Sequence, residues 1–109
     1  MQNQNQTPAP TTRTFTRTTG ETVTITEWTI GWYTLRKTED DDYADWTTSC
    51  ADRSLPRVED ITGFGNATEF GVSCSSIADL SPEGAAAYAT QIMEAAEVAT
   101  AFNKIIAAN

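Results

Sequence analysis

Residues 13 to 37, "RTFTRTTGETVTITEWTIGWYTLRK", decide the fold. Threonine recurs through this stretch, and a β-branched side chain suits a pleated surface better than a helix. The segment reads as strand, turn, strand, with "TTGE" as the turn and Gly20 free to take a positive φ, so a β-hairpin is expected. The second strand carries a change of phase. Val23 and Ile25 share one face, whereas Trp28, Ile30 and Trp32 have the opposite parity. Side chains alternate strictly along a strand, so both sets reach a single core only through an inserted residue near Thr26 or Glu27, or through a break. A bulge or bend is therefore expected there. Gly31, among large aromatics, is expected to allow close approach or a further kink, with Tyr33 and Leu35 on the face opposite Trp32.

Working outward, residues 1 to 11 are Gln, Asn, Thr and Pro with almost nothing apolar to bury, and ordering them has no visible compensation. They read as a disordered tail. On the other side, "WTTSCA" (46 to 51) reads as a short strand with Trp46, Thr48 and Cys50 on one face. "DRSLPRVEDITGFGN" (52 to 66) reads as an irregular connection, broken at Pro56 and by a "GFGN" turn. "ATEFGVSCSSI" (67 to 77) alternates again, with Phe70, Val72 and Cys74 on one face, so burial of both cysteines is expected.

The last segment, "LSPEGAAAYATQIMEAAEVATAFNKIIAAN" (80 to 109), changes character. Ser81 suits an N-cap, Pro82 the first helical position, and Glu83 the first turn, where a negative charge favours the helix dipole. Ala85, Ala89, Ile92, Ala96, Ala99, Phe102 and Ile106 recur at helical spacing as the stripe expected to lie on the sheet. A helix from 82 to about 106 spans roughly 37 Å, against roughly 17 to 20 Å for an ordinary strand. It must kink, cross diagonally, or project, and the small face bearing Ala86, Met93 and Ala101 suits contact with another copy or a partner, the alternative being a solvated alanine face. The fold class that follows is α+β: a small antiparallel sheet of about four strands against one long C-terminal helix, forming a single domain over residues 12 to 109.

Fifteen acids against seven bases give a net charge of -8. Such a potential repels phosphate backbones and anionic lipids and attracts basic surfaces, so neither direct nucleic-acid binding nor membrane association is expected. The start lacks the basic and apolar regions of a signal peptide, and no run approaches a membrane span, so a cytoplasmic location is expected. There is no histidine. That removes Ser-His-Asp and Cys-His catalysis and imidazole metal ligation, and two distant cysteines alone do not make a zinc site. "GFGNATEFG" lacks the lysine and hydroxyl residue that end a phosphate loop. Neither a catalytic residue, a cofactor nor a metal is expected, and the chain is read as non-enzymatic. A catalytic reading requires a concave pocket that holds a buried acid, such as Glu27, Glu69 or Asp79, beside a second polar group.

The most concentrated chemistry is "TEDDDYADW", residues 38 to 46. An EF-hand loop opening at Asp40 has Ala44 at its fifth position, Asp45 where glycine belongs and Ala51 where the bidentate glutamate belongs, so the motif fails. Two readings stay open. One is a solvated turn that limits aggregation. The other is a docking face formed by Glu39, Asp40, Asp41, Asp42, Tyr43, Asp45 and Trp46, extended by Asp52, Glu59 and Asp60, with carboxylates in place of phosphates and aromatic anchors. Arg53 and Arg57 interrupt it.

The passage "GVSCSSIADLSPEGAAAYATQIMEAAEVA" (71 to 99) resembles a layout of small actinobacterial and actinophage proteins, a few strands followed by "L-[ST]-P-E" opening an alanine-rich helix. The resemblance implies no activity. In size, acidity and lack of catalytic residues the chain is also similar to anti-CRISPR proteins and other phage-encoded inhibitors. The function expected is an acidic binding protein that inhibits or regulates a partner by occupying its basic or nucleic-acid-binding surface. The alternative is a structural or self-assembling accessory or virion protein, a homodimer through the helix being one form.

Overall fold

The computed structural model describes residues 7 to 62, 68 to 74 and 79 to 109. Six strands precede one helix: β1 (Thr11–Thr16), β2 (Thr22–Ile30), β3 (Tyr33–Glu39), β4 (Ala44–Cys50), β5 (Arg57–Asp60), β6 (Phe70–Ser73) and α1 (Pro82–Ala108). β1 to β4 form an antiparallel meander in chain order, and β5 pairs with β6 in a separate two-stranded sheet. The fold is thus α+β, a four-stranded antiparallel sheet plus a small second sheet and one long C-terminal helix. Thr11 already belongs to β1. Residues 1 to 6 of the expected tail, and the "GFGN" turn, lie outside the described residues.

The first hairpin forms at the expected place, with Gly20 at φ 95° and its N–H donated to the Arg17 carbonyl at 2.9 Å. The expected bulge is absent. β2 pairs with β3 without interruption from Thr24↔Glu39 to Ile30↔Tyr33, which leaves no room for an inserted residue. The phase change has another cause: β2 buries apolar groups on both faces of the sheet. Trp28 joins Tyr33 and Leu35 in the main core, whereas Val23 and Ile25 lie on the opposite face, where Val23 stands across from Phe15.

Gly31 does not kink a strand; it turns one. Ile30 and Tyr33 pair directly, so Gly31 and Trp32 form a two-residue loop, and Gly31 at φ 59° supplies the positive φ that a type II′ turn needs at its first position. Tyr33 and Leu35 consequently share the face of Trp28. Trp32 stays at the turn, 60% exposed.

The connection read as irregular contains β5. Its Val58 is buried and pairs with Val72 of β6. A four-residue strand with one buried apolar side chain has too little periodicity to show in sequence. The cysteines are less buried than the strand alternation implies. Cys50 is half-buried, and Cys74, just past the end of β6, is exposed.

α1 begins as expected, with the Ser81 hydroxyl accepting from the Gly84 N–H at 3.0 Å. It packs on β6 and β5, and its buried residues are Ala95, Val98, Ala99, Phe102 and Ile105. Of the expected stripe, Ala99 and Phe102 are buried and Ile92 and Ile106 partly so, whereas Ala85, Ala89 and Ala96 are exposed. Alanine at nearly every position of the first half blurs the periodicity, and this half does not rest on the sheet: no residue from Pro82 to Glu94 is buried. Asn103 fastens the second half. Its Oδ1 accepts from the Phe70 N–H at 2.8 Å and its Nδ2 donates to the Phe70 carbonyl at 3.0 Å, so the side chain acts as a strand partner for β6.

Candidate protein-docking site

The acidic segment is the turn between β3 and β4. Glu39 pairs with Ala44, which leaves Asp40, Asp41, Asp42 and Tyr43 as the loop. Asp40 organises it. Its Oδ1 accepts from the N–H groups of Asp42 at 2.8 Å and Tyr43 at 3.1 Å, and its own N–H donates to the Tyr43 carbonyl at 3.0 Å. This is an Asx-type turn, in which a short carboxylate replaces a backbone acceptor. The two N–H bonds hold the Asp40 carboxyl below its ordinary range, and the Arg17 guanidinium, 3.4 Å from Oδ2, lowers it further. The Asp40 side chain is only 7% exposed. It builds the loop and does not offer itself to a partner.

The seven expected docking residues divide by this geometry. Glu39 takes the Lys37 ammonium at 3.4 Å, and Lys37 lies 5.4 Å from the Trp46 ring centre. Trp46 itself is half-buried, its ring 5.7 Å from that of Trp28 at 29°. It belongs to the edge of the core. Asp41, Asp42 and Tyr43 remain exposed at the tip, Tyr43 at 66%. Asp45 is exposed too, but pairs with Thr38 and so lies on the face of Ile25, away from Trp46.

Of the three acids named as an extension of this face, Asp52 lies away from the turn, and Asp60 and Glu59 have partners of their own. Asp52 follows the far end of β4, roughly 20 Å from the turn at about 3.3 Å per residue. It repeats the device of Asp40, accepting from the Ser54 hydroxyl at 2.7 Å and the Ser54 N–H at 3.0 Å. Asp60 does the same with Thr62, whose N–H donates at 2.9 Å. Hydrogen bonds from the Ser54 and Thr62 side chains, then from their N–H groups, hold these two carboxyls low as well. Glu59 lies 3.4 Å from Arg57. For two of the three turn-forming acids a signal was present in the sequence: "DRS" and "DIT" place a hydroxyl residue two positions after an aspartate, the spacing of an Asx-type turn.

Sequence reasoning missed Arg17 and Glu21, which the first hairpin brings beside the acidic loop. Carboxylate oxygens of Glu21, Asp40 and Asp42 lie within 4.8 Å of one another, and Arg17 contacts both Glu21, at 3.5 Å, and Asp40. The guanidinium supplies the positive charge that this cluster calls for. The acids named for a catalytic pocket are dispersed. Glu69 and Asp79 are exposed, and Glu27, on the sheet face of Val23 and Ile25, pairs with Arg36 at 2.7 Å and Arg13 at 4.0 Å. None of the three lines the 460 Å³ cleft beside β4 and β5 or the 730 Å³ groove beside α1.

No family model, curated protein or solved structure matches the chain. No helix among the described residues is long and apolar enough to cross a membrane.

Proposed function

We propose that this chain is a non-enzymatic, acidic binding protein that inhibits or regulates a partner by covering its basic or nucleic-acid-binding surface. The observation that carries the reading is the tip of the β3–β4 turn. Asp41, Asp42 and Tyr43 stand exposed on a loop whose backbone Asp40 and Arg17 pin from behind, so two charges and an aromatic ring are presented with little ordering left to do on binding. Asp45 adds charge from the side. The net charge of -8 draws a basic partner from a distance, and cytoplasmic action on a phage or host target, in the manner of anti-CRISPR proteins, is the setting that this character suits. Reversing Asp41 and Asp42 to lysine should weaken capture of the partner at least tenfold with the urea midpoint unchanged. Equal capture by the variant refutes the reading.

A second reading has its own observation. The first half of α1 carries no buried residue, and Leu80 and Met93 are 47% and 66% exposed beside its alanines. Self-assembly through this half is the corresponding proposal. Sedimentation from micromolar to millimolar concentration tests it, and a monomer throughout rejects it.

A further inference from the structure

A groove of 730 Å³ runs between the second half of α1 and the β2–β3 turn, at the opposite end of β3 from the acidic loop. Its origin lies in the packing. α1 rests on β6 and β5, and where it passes the ends of β2 and β3 it presents Ala101, too small to close the gap. Ile30, Tyr33 and Leu55 give an apolar floor, and Val98, Ala101 and Ile105 an apolar helix wall. The other wall is Trp32, which the Gly31 turn sets at the rim with most of its ring exposed.

The mouth is negative on balance, two carboxylates against the Lys104 ammonium, which lines the groove further along α1. Glu94 and Glu97 line it from adjacent positions on one helix face, both are exposed, and neither is paired with a cation among the described residues. Glu94 also acts on the floor: burial chiefly, then the charges of Cys50, Glu94 and Asp52, push the Tyr33 hydroxyl up. An aromatic wall, an apolar floor and two carboxylates complement an apolar side chain with a cation beside it.

A second copy of the chain is a poor occupant. Among the described residues Arg13, Arg17, Arg36, Lys37 and Arg57 are already paired with carboxylates of their own molecule, which leaves Arg53 and Lys104 out of seven bases. Two molecules of charge -8 would also repel.

We infer that the groove is a second docking site, which takes a short basic, amphipathic segment of a foreign protein, an apolar side chain on the floor and a lysine or arginine against Glu94, Glu97 and Trp32. It is separate from the acidic turn, since Tyr33 and Glu39 end β3 roughly 20 Å apart. A partner with both a basic surface and such a segment gains from the two contacts at once.

The test uses the full chain, isotope-labelled, titrated with a synthetic ten-residue peptide of alternating leucine and arginine and followed by NMR. The expected result is saturable shifts at the Trp32 indole N–H and at amides from Glu94 to Ile105. Glu94→Lys with Glu97→Lys should weaken binding at least tenfold, as should Trp32→Ala, while Asp41→Lys with Asp42→Lys changes it less than threefold. Replacing leucine with serine in the peptide should also cost at least tenfold. Shifts confined to residues 40 to 45, no saturation, equal affinity for the serine peptide, or full binding by the Glu94, Glu97 and Trp32 variants would overturn the inference. Because the acidic-turn variant is scored on its own, failure at the groove leaves the proposal for that turn standing, and the reverse.

Discussion

Asn103→Ala should loosen the seam between the helix and the second sheet, and its cost follows from two bonds. The amide accepts from the Phe70 N–H at 2.8 Å and donates to the Phe70 carbonyl at 3.0 Å, and Phe70 is 3% exposed. A hydrogen bond of this kind contributes about 1 kcal/mol net, and a buried group left without a partner costs about 1 to 3 kcal/mol. Asn103 is half-buried, so water enters part of the space, and the expected loss is about 2 kcal/mol in total. In a domain with about 5 to 15 kcal/mol of stability that is a large share. Urea unfolding should show a lower midpoint with an unchanged slope, since the surface exposed on unfolding stays the same. Native-state hydrogen exchange should show the Phe70 N–H losing protection ahead of the β2–β3 pairs. Asn103→Asp keeps the acceptor but turns a second carboxylate oxygen to the Phe70 carbonyl, and should destabilise as well. A midpoint change equivalent to less than about 0.5 kcal/mol, the range of an ordinary surface substitution, would refute the reasoning.

Gly31→Ala should cost about 1 to 2 kcal/mol, because φ 59° is penalised for an L residue, and Gly31→Asn should cost less; no atom stands within 4 Å of an added Cβ, so the penalty is conformational and a neutral alanine variant contradicts the II′ turn. In acid, Asp40, Asp52 and Asp60 have folded-state carboxyls held below the ordinary 3.8. Their stabilisation is complete above that value and is lost as pH falls through the lowered values, so a urea midpoint that is flat from pH 7 to about 5 should drop below about 4, less steeply in Asp40→Asn. In alkali the sign reverses for the half of the molecule near the groove: Tyr33 is raised above 10.0, so its contribution is complete below that value and is lost as pH rises beyond it. Tyr33→Phe should remove that part of the alkaline limb.

Much of the fold was legible in the sequence because local and global preferences agree. Threonine-rich alternation made strands, Gly20 a turn, and Ser81, Pro82 and Glu83 a helix start. The places that misled share a physical cause, the use of one residue type for two purposes. The change of phase in β2 implies a bulge only on the premise of a single core, whereas Val23 and Ile25 are buried on the second face of the sheet. Trp32 continued an aromatic run and so hid the turn that Gly31 makes. β5 owes its existence to β6, a partner that no local pattern announces.

The candidate site was legible as a location and not as an arrangement. Sequence placed five acids and two aromatics together, but the strand register sends Asp45 and Trp46 to opposite faces, and Asp40 spends its carboxylate on the loop backbone. Alternation in "YADW" does separate Asp45 from Trp46 once the strand is accepted. Arg17, by contrast, reaches Asp40 across 23 residues, a pairing that only the meander creates.

The most direct test of the docking account is parallel affinity capture from the organism that encodes the chain, with the wild type and the Asp41→Lys, Asp42→Lys, Tyr43→Ala variant as baits, each at low and raised salt. The account predicts a basic partner retained by the wild type at low salt, lost at raised salt and lost from the variant, with both baits showing the same urea midpoint. Retention of the same partner by the variant, or capture indifferent to salt, would contradict it.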